Sequence, residues 1–174
     1  MKKQELKTSE YNDYYARYID KVHDNIELKN GFENDKKMVI DFFLSIPNEK
    51  LEYRYKPEKW SIKEILQHII DTERIFIYRC FRIARKDQTA LAGYEQDDYI
   101  IPSEANNKSL EDLIHEFTIT RMNSLNIINS ISNENLKNFG TASNTTISAR
   151  ACAFILLGHS IWHIEIIKER YLSC

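Results

Sequence analysis

The stretch Ser61–Arg85, SIKEILQHIIDTERIFIYRCFRIAR, decides the fold of this chain. It opens with a capping box, in which the Ser61 hydroxyl and the Glu64 carboxylate satisfy each other's backbone N–H groups at a helix start. Ile62, Ile65, Leu66, Ile69, Phe76, Cys80 and Ile83 then recur at three- and four-residue spacing, which lays one apolar stripe along a long helix. A helix with one such stripe needs partners of similar length to bury it.

The partners lie on either side. Toward the N-terminus, Leu28, Phe32, Val39, Phe42, Phe43 and Ile46 predict a helix from about Asn25 to Ile46, loosened early by Gly31 and stopped by Pro47. Toward the C-terminus, Ser109 caps a helix that carries Leu110, Leu113, Ile114, Phe117, Leu125 and Ile128 and ends near Ile131. A last helix, from Ser148 to Tyr171, places Cys152, Ile155, Leu156, His159, His163, Ile166 and Ile167 along one side. Four helices of similar length predict an all-α four-helix bundle. The segments Lys86–Lys108 and Asn133–Thr146 read as connections, the first long enough to suggest a functional role. Residues 1–24, with Tyr11, Tyr14, Tyr15 and Tyr18, read as an arm or short helix packed across the bundle.

Composition agrees. The chain has 174 residues, 43% hydrophobic and 29% charged, which fits a single domain spanning 1–174 with one continuous core. Four glycines and three prolines are too few for an all-β fold with its many tight turns. Lysine and arginine number 24 against 26 acidic residues, so a net charge of -2 offers no pull toward nucleic acid or anionic membranes. No unbroken apolar run approaches the roughly 18 residues that span a bilayer, and the start of the chain lacks the pattern of a signal peptide, so a cytoplasmic protein is expected. Cys80, Cys152 and Cys174 are odd in number and show no CxxC spacing, which fits reduced thiols.

Chemistry rests on histidines. His159 and His163, four residues apart, face the same way on the last helix, and His68 lies among Leu66, Ile69 and Ile70 on the helix expected over Ser61–Arg85. If the two helices pack side by side, three imidazoles can meet at one divalent metal ion; the alternative is three core histidines bonded to their neighbours. No glutamate follows His159, which excludes the HExxH arrangement of zinc peptidases. Three imidazole ligands leave a coordination position open, as catalytic metal sites do.

Three segments together resemble the DinB-like superfamily, including its YfiT-type members. They are Pro57-Glu-Lys-Trp-Ser-Ile-Lys-Glu-Ile-Leu-Gln-His68 with Asp71-Thr-Glu-Arg74, Gly93-Tyr-Glu-Gln-Asp-Asp-Tyr99, and Gly158-His-Ser-Ile-Trp-His-Ile-Glu-Ile-Ile-Lys-Glu-Arg-Tyr171. The resemblance implies a bundle of up-down-down-up arrangement, often dimeric, with a divalent metal such as zinc or nickel held by His68, His159 and His163. It further implies a small-molecule substrate and one of two activities: transfer of a low-molecular-weight thiol in detoxification or stress response, or hydrolysis. A non-enzymatic metal-binding bundle is the remaining alternative.

Other residues have a bland and a functional reading. Asp71 is a solvated helix charge or an acceptor that orients His68. Asp97, Asp98 and Tyr99 belong to a surface loop or to a lid over the metal. Arg79, Arg82 and Arg85 form an exposed row favoured by the helix dipole, or a dock for a carboxylate-bearing thiol. Trp60 and Trp162 read as packing residues, Trp162 beside a ligand, while Glu73 and Arg74 read as partners of neighbouring helices. His23 and His115 read as exposed.

Overall fold

The computed structural model describes residues 1–173, so Cys174 lies outside the described residues. Six helices form, α1 (Ala16–Ile19), α2 (Leu28–Leu44), α3 (Ile62–Ala84), α4 (Asp97–Ser103), α5 (Leu110–Asn129) and α6 (Ala149–Arg170), and α2, α3, α5 and α6 make the bundle. The starts expected from sequence are built as written. The Ser61 hydroxyl accepts from Glu64 N while the Glu64 carboxylate accepts from Ser61 N, and Ser109 and Ser148 cap α5 and α6 through Asp112 N and Ala151 N. Gly31 does not loosen α2. It makes room, since a Cβ there would lie 2.7 Å from a Leu157 methyl.

Side-chain pairs fix the directions. Gln67 with Glu116 and Glu73 with Arg121 run in step along α3 and α5, so these helices are parallel. Gly31 with Leu157 and Phe42 with Lys168 make α2 and α6 parallel as well. His68 meets His159 and His163 from the start of α3, so α3 and α6 run in opposite senses. The result is the up-down-down-up order, and parallel α3 and α5 require a connection that returns along the bundle.

That connection is more structured than a loop, holding α4 and a 3-10 turn at Ala105–Asn107. The second connection is not irregular either. Phe139–Ala142 (β1) and Thr145–Ser148 (β2) form an antiparallel hairpin whose turn residues, Ser143 and Asn144, both have positive φ, 49° and 60°. Leu91 of the long connection bonds to the hairpin through Thr141 O and Ser143 N, tying the two segments together.

The core is not the single continuous one expected: it divides into two clusters along the bundle, one holding Phe32, Phe76, Cys80 and Phe154 and the other Val39, Phe43, Leu66 and Phe117. Among the described residues α6 is one helix long and apolar enough to cross a membrane, and it passes that test because it is the central helix, 72% buried over its most apolar window. Cys80 and Cys152 are buried, and burial pushes both thiols up.

Three arginines enter the interior. Arg121 of α5 is fully buried between Asp35 of α2, at 2.6 Å, and Glu73 of α3, at 2.7 Å. Arg150 at the head of α6 is held by Glu10 of the N-terminal arm. Arg79 of α3 is buried too, which separates it from exposed Arg85 and half-buried Arg82 and overturns the exposed-row reading. The arm brings Tyr18 onto α6 at Gly158, where a Cβ would stand 1.9 Å from the Tyr18 carbonyl oxygen.

Candidate metal centre

Antiparallel packing of α3 and α6 brings the three histidines together. His68 Nε2 and His163 Nε2 each lie 3.0 Å from His159 Nε2, and all three donor atoms fall within 4.8 Å of one another. The rings are buried, with 4%, 3% and 6% exposure for His68, His159 and His163. Each is braced by one larger aromatic side chain: Trp60 on His68, Tyr18 on His159 and Trp162 on His163, at centroid distances of 4.7, 5.2 and 4.8 Å. The two tryptophans therefore pack, and what they pack is the triad.

Burial disfavours the imidazolium. It pulls His68 down to about 4 and holds His159 and His163 well below the usual histidine range, with their mutual charge adding to the effect. All three are neutral near pH 7, the form that ligates metal.

The donor set fits a cation better than it fits itself. A neutral imidazole nitrogen offers one in-plane site, either a lone pair or an N–H. His159 Nε2 faces two other Nε2 atoms and can bond well to only one, so the other contact is left without a well-aligned bond. A divalent ion replaces both contacts with bonds, and Zn–N bonds of about 2.0–2.1 Å place tetrahedral donors about 3.3 Å apart, close to the 3.0 Å of the two pairs made by His159. No fourth His, Cys, Asp or Glu joins this group among the described residues.

Two cavities meet at the triad. One, of about 240 Å³, is lined by His159, Arg79, Thr72, Tyr94 and Ser143. The other, of about 360 Å³, is lined by His163, Trp162, Trp60 and Asp97. Tyr14, Tyr18 and Gln96 border both, so the tyrosine-rich arm and the long connection wall the site.

The remaining predicted residues divide. Asp97 and Trp162 reach the His163 cavity. Asp71 does not orient His68: it accepts from Gln67 and Arg74, and lies with Asp98, Tyr99 and Glu116 around a separate groove beside α5. Of the three residues read as surface loop or lid, Asp97 at the start of α4 lines the His163 cavity, whereas Asp98 and Tyr99 line the separate groove. Arg74 bridges Asp71 and Glu116, and His23 and His115 are exposed. The reading of the sequence missed Ser143, Thr72 and Tyr94 as cavity residues, and no spacing signal marks them.

No curated protein sequence matches the chain. Among solved structures, YfiT from Bacillus subtilis superposes with a TM-score of 0.74 at 12% identity, over 88% of this chain and 92% of that one. That protein is described as a probable metal-dependent hydrolase with an unusual four-helix bundle topology, and the likeness establishes the shared fold. The DinB superfamily model matches residues 32–167, which take in α3 and α5, most of α2 and α6 and the three histidines, and the chain belongs to that superfamily.

Proposed function

We propose that this chain is a metal-dependent enzyme in which His68, His159 and His163 hold one divalent cation, zinc or nickel, and that it transfers a low-molecular-weight thiol to a small electrophile. The observation that carries the reading is the convergence of three buried, neutral Nε2 atoms with cavities on two sides and no fourth ligand of the same kind beside them. Structural zinc takes four protein ligands, whereas three ligands with an open position accompany catalysis. A divalent cation held there would supply Lewis acidity that turns a thiol or a water into a nucleophile near neutral pH.

The protein's own part is positional. Trp60, Tyr18 and Trp162 fix the three rings, burial keeps them unprotonated, and the tyrosines of the arm limit solvent entry. Two carboxylates line the cavities, Glu95 and Asp97, and both are exposed. That favours a thiol, which loses its proton readily, over a water that needs a base. Asp97 in the His163 cavity favours the second reading, hydrolysis, because its carboxylate is placed to accept a proton there.

Metal analysis of purified protein beside His159→Ala tests the site. A stoichiometric ion in the wild type and its loss in the variant are expected, and unchanged metal content sinks the assignment. Candidate thiols offered with an electrophilic dye then separate the activities: conjugation that stops on chelation supports transfer, and ester cleavage without any thiol supports hydrolysis.

A further inference from the structure

Arg121 and Arg150 are buried against carboxylates, but buried Arg79, only 2% exposed, makes no ion pair among the described residues. Its Nη2 donates to the Ala92 carbonyl and the Ser143 hydroxyl, both at 2.9 Å and both neutral. The Phe76 and Tyr94 rings flank the guanidinium at 4.8 and 5.9 Å. Among the described residues Nε and Nη1 have no acceptor, yet neither is sealed from solvent as a buried, unpartnered atom. Those free donors belong to a residue that lines the same cavity as His159.

A buried cation without a counter-charge is costly, and native interiors avoid it. Here the missing partner has a place to bind. We propose that the cavity between Arg79 and His159 anchors a small substrate carrying one carboxylate, with Arg79 gripping the carboxylate and the reacting end lying toward His159. The placement of the reacting end rests on the metal-centre reading above; the anchoring does not. A single buried positive charge, with exposed Glu95 at the rim, suits a monoanion better than a phosphate dianion. A volume of about 240 Å³ with Tyr15, Phe76 and Tyr94 in its walls suits a short or aromatic body.

The test is calorimetric titration of the full chain, metal-loaded and metal-free, with benzoate, its neutral counterpart benzamide, and phenyl phosphate. Benzoate is expected to bind at least about tenfold more tightly than benzamide in both forms, the difference a charged hydrogen-bonding partner makes. It is also expected to outbind phenyl phosphate. Arg79→Gln should abolish the advantage over benzamide while leaving the metal content unchanged. Equal binding of benzoate and benzamide, no binding of benzoate to either form, a preference for phenyl phosphate, or a benzoate preference that survives Arg79→Gln would each overturn the proposal. If Arg79→Gln does not fold, the three-probe comparison on the wild type decides. Benzoate binding without metal binding refutes the centre and leaves the pocket standing; metal binding without benzoate binding does the reverse.

Discussion

Arg121→Met removes the charge that α2, α3 and α5 share while filling much of its volume among Phe32 and Phe117. Asp35 and Glu73 would remain, 5% and 1% exposed, with no cation between them. Breaking a buried pair in this way costs about 3–5 kcal/mol, because the charges left behind lose their compensation. In a domain of this size each kcal/mol lowers Tm by about 2–4 °C, so a fall of about 6–20 °C at pH 7 is expected by circular dichroism. Acid should narrow the difference. Asp35 is already raised to about 6 in the folded protein, first by burial and then by Glu73, against a drawing-down by Arg121. Its folded value exceeds the unfolded value of 3.8, so its stabilising contribution is full below 3.8 and is lost as the pH climbs through about 6. Without Arg121 the Asp35 carboxyl prefers the neutral form more strongly, and acidification from pH 7 toward 5 restores stability relative to the wild type. A loss below about 1 kcal/mol at pH 7, or one that does not shrink on acidification, refutes the argument that Arg121 compensates two buried charges.

The same reasoning predicts that Asp35→Asn, which holds the side chain neutral while its amide oxygen can keep the bond from Arg121 Nη1, is at least as stable as the wild type at pH 7. A gain of about 1–3 kcal/mol that vanishes below pH 4 is expected in urea unfolding. Gly158→Ala places a methyl against the backbone carbonyl of Tyr18 and should cost about 3 kcal/mol or more, with faster proteolysis of the N-terminal arm at unchanged bundle helicity. Gly31→Ala meets only the ends of the Leu157 and Ile26 side chains, which can move, and should cost about 1 kcal/mol by the same denaturation assay.

The bundle was legible because helix signals are local. Ser61, Ser109 and Ser148 announce starts, and three- and four-residue spacing gives the faces. The hairpin at 139–148 was not, since its strands are four residues long and its turn is Ser143-Asn144, without the glycine that marks a two-residue hairpin turn. That omission hid the second. Arg79 looks exposed from the row it shares with Arg82 and Arg85, and it is covered by contacts distant in sequence, the Ala92 carbonyl and the turn residue Ser143, 64 positions away. Asp71 failed as a partner of His68 for a helical reason. Three residues on, a side chain has rotated by about 60°, and on α3 that turns it from the α6 side toward α5. The histidine pair was readable from spacing, but its third member became a partner through antiparallel packing that no local pattern encodes.

His68 and His159 are 91 residues apart, and the segment between them includes the connection that lets α3 and α5 run parallel. A cation that needs both donors can bind only a chain that has already closed this long loop, which is entropically slow to form. Binding energy at the triad would therefore be folding energy, delivered late and at one seam. Ion concentration would act on this protein as a thermodynamic clamp: saturation at a hundred times the dissociation constant adds about 2.7 kcal/mol. The clamp would slow unfolding more than it speeds folding, provided α3 and α6 meet after the rate-limiting step.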